Sequence, residues 1–195
     1  MRHDLKIAGY RFALRPVRMD DASFIAMLRN DRLRTGFLNR GAETVAAQQE
    51  WLRSYFSRAG DYYFIIERRT DHRRDGLLAI YNLNANRHEA EWGRWVIRDE
   101  STAAVESAWL VYRMAFDTLR LESVYCRTIE ANGQVVSFHD HCGLLRSPAN
   151  VDLIVDGEAR SGIEHRLTRH QYPETALRLQ LLAARAARQS PGSMP

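Results

Sequence analysis

The chain has 195 residues, of which 45% are hydrophobic and 27% charged, and this balance predicts a folded globular domain with its own core. Its 28 basic residues exceed its 24 acidic ones by only four, and no block of like charges argues for a nucleic-acid partner. Two cysteines, Cys126 and Cys142, are too few for a disulfide framework, and no apolar run could cross a membrane, so we expect a cytoplasmic protein.

The chain opens with a strand pattern and two helical patterns. Residues 10–17 alternate between apolar and polar positions, as a strand does, and residues 19–31 carry an apolar helical face. Residues 43–60 predict a second helix, for which Thr44 is the expected cap and Gly60 the expected stop.

Three strands and a helix are predicted next. The strands are expected at residues 61–69, 77–84 and 89–97, and Gly93 inside the third indicates a bulge or a close backbone approach. The stretch RDESTAAVESA, at residues 98–108, then leads into a helix that ends near residue 119.

The second half returns to strands. We expect a strand at residues 123–129, a short helix at 132–143, and a final pair of strands at 151–157 and 163–172. The remainder, residues 173–195, is predicted to be a tail that is helical to about residue 188 and disordered beyond.

This order predicts an α/β (α+β) domain at residues 1–172, in which helices flank a mostly antiparallel, mixed central sheet. Four segments carry a family resemblance. They are LRPVRMDDASFIAMLRND, EAEWGRWVI, TAAVESAWLVYRMAF, and Asn132 followed eleven positions later by Gly143. In order and spacing they resemble the GNAT (GCN5-related N-acetyltransferase) superfamily, in the branch of ribosomal-protein N-terminal and amino-sugar N-acetyltransferases.

The resemblance implies the GNAT fold and an acyl-CoA-dependent N-acyltransferase, with acetyl-CoA, or another acyl-CoA, as co-substrate. The acceptor would be a small-molecule or peptide amine, either an amino sugar or a protein N-terminus. Neither a membrane nor a nucleic acid is expected as a partner, and a homodimer is compatible with the resemblance. A GNAT-fold binding or regulatory module without turnover is the alternative.

The resemblance also places the cofactor. Pantetheine would pair with strand amides, and the pyrophosphate would lie at the turn before the helix. The implied cofactor-binding residues are Val96, Ile97, Arg98, Ser101, Thr102, Ala103, Ala104, Asn132 and Phe138. The family loop has the form R/Q-x-x-G-x-G/A, whereas this chain has Glu100 and Thr102 at or near the glycines. The helix N-terminus still favours an anion, but the turn could also be a plain connector in which Ser101 only caps a helix.

Two residues are candidates for proton transfer. The resemblance makes Glu91 the base that accepts the amine proton, with Glu89 as a fallback; the alternative is a solvent-facing carboxylate. It places His139 where relatives carry a tyrosine that protonates the leaving thiolate, and histidine, which titrates near neutrality, could do the same. The alternative is a surface histidine. His139 and His141 would point apart on a helix, so no metal site is expected.

Overall fold

The computed structural model of the chain describes residues 3–31 and 36–189. In chain order the elements are β1 (Ile7–Ala8), β2 (Phe12–Pro16), a 3₁₀ turn (Met19–Asp21), α1 (Ala22–Arg29), α2 (Val45–Phe56), β3 (Tyr62–Arg68), β4 (Arg74–Asn84), β5 (Glu89–Ile97), α3 (Ala103–Arg113), a π-helical turn (Met114–Thr118), β6 (Ser123–Ile129), α4 (Gly133–His141), β7 (Leu145–Arg146), β8 (Val151–Val155), β9 (Glu158–Thr168) and α5 (Tyr172–Gln189).

The predicted order of helices and strands is confirmed, with differences at the ends of elements. The two-residue strands β1 and β7 are too short to give a periodic pattern, and the sequence did not predict them. The Thr44 hydroxyl caps α2 by accepting a hydrogen bond from the Ala47 amide at 3.1 Å, as predicted. However, α2 ends at Phe56, and Gly60 lies beyond it with a φ of 71°. The predicted disorder at residues 190–195 lies outside the described residues.

The sheet is mixed and mostly antiparallel, as predicted. Its strands follow the order β1-β2-β3-β4-β5-β6-β9-β7, and β8 pairs with β9. Among the described strands only β5 and β6 are parallel, and they pair solely where Glu89–Glu91 lie beside Ser123–Tyr125. Beyond Glu91 the two strands separate, so the sheet opens into a gap at its centre.

Each face of the sheet carries its own apolar core. On one face, α3 and α5 contribute Tyr112 and Leu179 to a cluster that includes Phe64 and Trp92 of the strands. On the other face, α1 and α2 contribute a second cluster. Its members include Ile25, Leu52, Tyr55, Ile65 and Leu77. Neighbouring strand residues alternate between these two clusters because successive side chains point to opposite sides of a strand.

A buried carboxylate fastens α3 to β2. Glu106 is 3% exposed, and its Oε1 accepts hydrogen bonds from the backbone amides of Arg11 and Phe12 at 2.9 and 3.0 Å. Burial raises the pKa of Glu106 despite these hydrogen bonds. Since both amides lie at the start of β2, the side chain of Glu106 holds this end of the strand against the first turns of α3.

Removing this carboxylate should destabilise the fold. We expect Glu106→Ala to lower the free energy of unfolding by about 2–4 kcal/mol, because it leaves backbone amides without an acceptor. Urea denaturation measures the change. The matched control is Glu50→Ala, which removes an exposed glutamate paired with Arg53 and should cost less than about 0.5 kcal/mol. Equal effects of the two changes would contradict the anchoring role.

Candidate active site

The gap between β5 and β6 leads into a cavity of about 230 Å³. The residues that line it come from β4, β5, β6, α4, β8 and the loop before α2. They include Leu38, Asn39, Tyr81, Glu91, Gly93, Arg94, Trp95, Cys126, Arg127, Asn132, His139 and Leu153. Three of the predicted site residues, Glu91, Asn132 and His139, therefore meet at one cavity.

A bulge shapes the wall that β5 contributes. Ala79 pairs with Gly93 and Leu77 with Val96, so two residues of β5 oppose one residue of β4. Arg94 in the bulge has a φ of 51°. A Cβ on Gly93 would lie 2.8 Å from the Tyr81 hydroxyl, so a side chain there would have to displace that hydroxyl. The bulge and the close approach predicted at Gly93 are both confirmed.

Glu91 is a fixed carboxylate at the edge of the cavity. It is 8% exposed, and it accepts hydrogen bonds from Tyr81 Oη and from Asn82 Nδ2, each at 3.0 Å. An Arg127 nitrogen lies 3.8 Å from Oε2. Glu91 is therefore not a solvent-facing carboxylate, and its role as base stays a prediction. The fallback, Glu89, instead pairs with Arg166 at 2.8 Å.

The side chain of His139 is 2% exposed, so the surface alternative is wrong. Its ring packs edge-on against Trp92, with centroids 5.5 Å apart. Burial is the main cause that lowers the pKa of His139 to about 3, and repulsion from His165, when that ring is protonated, is the second. The expectation that this histidine titrates near neutrality is therefore wrong, and its imidazole is neutral at pH 7. A neutral imidazole can still donate through one nitrogen and accept through the other.

The turn before α3 adopts a conformation that glycine would favour. Glu100 has a φ of 61° and an exposed side chain. Ser101 Oγ donates a hydrogen bond to Asp75 at 2.9 Å and accepts one from the Ala103 amide at 3.3 Å. Thr102 is also exposed and makes no side-chain cap. The first-turn N–H groups of α3 have no intrahelical acceptor, as at any helix start, so this end still favours an anion.

The other residues assigned to the cofactor lie in different surroundings. Val96 is buried in the α1–α2 core, and Ile97 packs against the opposite core. Both follow the last β5 residue that pairs with β6. Phe138 packs against Trp95 at 5.2 Å between ring centroids. Ala103 is fully buried and Ala104 half-buried at the start of α3.

Arg98 differs most from its predicted place. By strand alternation its side chain follows Val96 to the α1 face. There it lines a separate concavity with Phe24, Met27 and Arg74. Ala103, the first residue of α3, belongs instead to the core on the opposite face. The side chain of Arg98 is thus not directed at the start of α3, and its contact with the pyrophosphate stays a prediction.

Comparisons with known proteins agree with this geometry. Residues 11–145 match the acetyltransferase (GNAT) domain family. Apo FdhC, a nucleotide-linked sugar GNAT, is 30% identical with a TM-score of 0.77, over 90% of this chain and 97% of its own. A GCN5-related N-acetyltransferase from Brucella melitensis is 16% identical, with a TM-score of 0.79 over 92% of this chain and 85% of its own.

A spermidine N-acetyltransferase from Vibrio cholerae, in complex with CoA and spermine, is 17% identical, with a TM-score of 0.75 over 84% of this chain and 98% of its own. No curated protein sequence matches the chain. The chain belongs to the GNAT acetyltransferase family. It is therefore an N-acyltransferase of a family that uses acyl-CoA, and the predicted fold and enzyme class are confirmed.

Two further features concern the described residues alone. None of the helices in residues 3–31 and 36–189 is long and apolar enough to cross a membrane. In the same residues no group of three or more histidine, cysteine, aspartate or glutamate side chains could hold a metal ion.

Sequence reasoning missed several residues at the cavity. Tyr81 lines the cavity, and with its chain neighbour Asn82 it holds Glu91, but nothing in their sequence context marks either residue. Arg94 lies in the bulge of β5. Arg127 lies two residues after Tyr125 on β6, so the two side chains share one face of that strand. The only sequence signal was Gly93, because a glycine inside a strand indicates that another group comes close.

The turn before α3 provides a test of cofactor binding. Glu100→Gly should preserve or tighten the binding of acetyl-CoA, because glycine adopts a positive φ without strain and the change removes a negative charge near the predicted position of the pyrophosphate. Isothermal titration with acetyl-CoA and with CoA measures the dissociation constants. Glu100→Gln separates the two causes, since it removes the charge and keeps the strained backbone. A large loss of affinity in the glycine variant would contradict the expected outward position of Glu100.

Proposed function

We propose that this protein transfers an acetyl group from acetyl-CoA to the primary amine of a nucleotide-linked amino sugar. CoA would lie in the gap between β5 and β6, with its pyrophosphate at the start of α3. The family supports the use of acyl-CoA, and the similarity to a nucleotide-linked sugar GNAT supports the acceptor class. The observation that carries the proposal is the charge of the cavity on the acceptor side.

This second cavity, of about 420 Å³, adjoins the first and shares Leu38, Asn39, Tyr81 and Arg94 with it. Its side chains are basic, aromatic or neutral. The basic and aromatic ones are Arg29, Arg40, Trp51, Arg58, Tyr63, Tyr81 and Arg94. Within the described residues, none of the side chains that line it is acidic.

Within the described residues, two of these arginines have neutral hydrogen-bond partners. Arg94 is neutralised by Asp61, with nitrogen–oxygen distances of 2.8 to 3.0 Å. In contrast, Arg29 donates a hydrogen bond to the carbonyl oxygen of Asn39, and Arg58 donates one to Ser54 Oγ at 3.3 Å. These partners are neutral, so the cavity has positive charge to offer. Arginine matches the geometry of phosphate oxygens, and a diphosphate would supply the compensating negative charge.

The same charge disfavours a polyamine. A polycation would meet the guanidinium groups of Arg29 and Arg58 on entry, and like charges repel at close range. The single amine of an amino sugar, in contrast, needs only one anionic group. Among the described residues that line the first cavity, Glu91 is the only carboxylate. It would therefore attract the ammonium group while the arginines hold the phosphates.

A panel of acceptors tests the proposed substrate class. Release of CoA should be fastest with a nucleoside-diphosphate-linked amino sugar. It should be much slower with the corresponding free amino sugar and with spermidine, because both lack the phosphates that the arginines would bind. Arg58→Gln should raise KM for the nucleotide-linked acceptor and leave the Kd of CoA unchanged. A preference for spermidine would contradict the proposal, and transfer to a peptide N-terminus alone would replace the acceptor class.

Glu91 can be tested against its neighbour on the same face of β5. Glu91→Gln should lower kcat/KM for the acceptor by about 10²-fold, because the cavity loses its anionic group. Glu89→Gln is the matched control, because it makes the same change two residues away, at a carboxylate paired with Arg166. Steady-state kinetics and acetyl-CoA titration of both variants give the result. Equal kinetics of the two variants would remove Glu91 from the reaction.

A further inference from the structure

We propose that Asp140 and His165 set the protonation of His139, so that His139 Nε2 accepts a proton from the acceptor amine and then returns it to the leaving thiolate. His139 would be the catalytic residue that takes the amine proton, and Glu91 would bind the ammonium group without acting as the base. His165 and Asp140 would be the positioning residues behind His139. The reaction step rests on the proposed function. The arrangement of protons rests on the geometry of the three side chains alone.

The three side chains form a path from the cavity to the surface. His139 lines the cavity. The ring of His165, which is fully buried on β9, lies behind it with centroids 5.3 Å apart and an interplanar angle of 47°. His165 Nε2 lies 3.0 Å from Asp140 Oδ1. Asp140 itself is 34% exposed and pairs with Arg146 at the surface.

Asp140 determines the proton position on His165. Hydrogen bonds from Arg146, and then from His165, hold the pKa of Asp140 well below its usual range. This carboxylate is ionised at pH 7 and can only accept hydrogen bonds. His165 Nε2 must therefore carry a proton. In the neutral ring, Nδ1 of His165 is then an acceptor without a proton.

Nδ1 of His139 needs a hydrogen-bond partner that complements Nδ1 of His165. Nδ1 of His139 and Nδ1 of His165 are both shielded from solvent, and neither has a hydrogen-bond partner among the described residues. A buried polar atom left without a hydrogen-bond partner is destabilising. The ring centroids lie 5.3 Å apart, so the two Nδ1 atoms would reach hydrogen-bonding range if the rings turned toward each other. Because His165 Nδ1 can only accept, the proton of this bond belongs to His139 Nδ1.

This assignment leaves His139 Nε2 with a free lone pair. Nε2 is the remaining nitrogen of a ring that lines the cavity, so the lone pair is available to a substrate there. The two thiols nearby do not compete for the proton. Burial raises the pKa of Cys126 well above its usual range and that of Cys142 to about 12. Both are therefore neutral at pH 7.

The proton transfers balance. The acceptor ammonium gives one proton to His139 Nε2 while the His139 Nδ1 proton moves to His165 Nδ1. His165 becomes an imidazolium beside the Asp140 carboxylate, and His139 stays neutral. The freed amine lone pair forms the C–N bond at the thioester carbonyl. When the C–S bond breaks, the thiolate takes the Nε2 proton, and His165 returns its proton to His139 Nδ1. The amide nitrogen loses its extra proton to solvent.

Low basicity of His139 is compatible with this path. A ring whose pKa has been lowered to about 3 by burial does not hold an extra proton at pH 7. In the proposed path it never needs to, because it gains a proton at one nitrogen as it loses one at the other. The positive charge rests on His165, where the Asp140 carboxylate lies at hydrogen-bonding distance.

Nitrogen NMR of the imidazole rings tests the proton positions in the wild-type protein without any assay of activity. Long-range ¹H–¹⁵N spectra distinguish the two tautomers, and the spectrum of His139→Gln assigns the His139 signals. We expect the proton of His139 on Nδ1 and that of His165 on Nε2. A proton on His139 Nε2 in the free protein would overturn the proposal and would leave the acceptor class untouched.

Kinetics of Asp140→Asn provide the second test. Asparagine is similar in shape and lacks the charge that stabilises the His165 imidazolium. We expect kcat to fall by about 10²-fold or more, with the Kd of CoA unchanged. Asp152→Asn, at an exposed position on β8, is the matched control and should keep wild-type kcat. Wild-type kcat in Asp140→Asn would overturn the proposal. Loss of CoA binding in that variant would assign Asp140 a structural role and overturn it as well.

Discussion

The separation of β5 from β6 is the constraint on which the rest of the site depends. Backbone groups that leave a sheet ladder must find other partners or water. Here the parallel ladder stops after Glu89–Glu91, and the strands beyond it face a gap. The bulge at Arg94 lies just beyond the end of this ladder, and the Tyr81 hydroxyl packs closely against Gly93 there. A ligand can therefore enter the centre of the sheet, where CoA and acceptor would meet.

Charged side chains hold the two strands together at the closed end of this gap. Arg166 bridges Glu89 and Glu164 at 2.8 and 2.9 Å. Arg127 bonds Glu164 at 3.0 Å and approaches Glu91. These ion pairs therefore form a continuous row of charged side chains that begins on β5, continues on β9 and β6, and returns to β5. Isolated surface pairs contribute little, but this network leaves Glu91 with a fixed position before any substrate arrives.

The sequence predicted the fold better than the site. Segments such as residues 61–69 and 123–129 give strong patterns, because the residues that the sheet buries follow the spacing of a strand. Glu91 and His139 were found through resemblance, and the structure brings them to one cavity. The partners of these residues could not be predicted. His165 lies 26 positions after His139, and only the pairing of β9 with β6 brings it behind the α4 histidine.

The pKa of His139 shows why residue type alone gave the wrong expectation. Histidine titrates near neutrality in water, and the sequence contains nothing that marks this one as buried between Trp92 and His165. The low polarity of that site disfavours the charged imidazolium. His139 therefore cannot be the simple acid that was expected. A proton can still pass through the ring of His139 if another group takes the positive charge. In the proposed path that group is His165, so two residues share the role that was expected of one.

The turn before α3 holds a positive φ at a residue that is not glycine. A positive φ at Glu100 costs about 1–2 kcal/mol relative to glycine, and a contact elsewhere must offset it. The fully buried Asp75 carboxylate supplies one, because it bonds Ser101 while Arg68 and Arg73 neutralise its charge at 3.1 and 3.2 Å. The Asp75 carbonyl also accepts the Arg98 amide at 2.8 Å. These contacts of Asp75 hold the turn in place, and the start of α3 remains available to an anion.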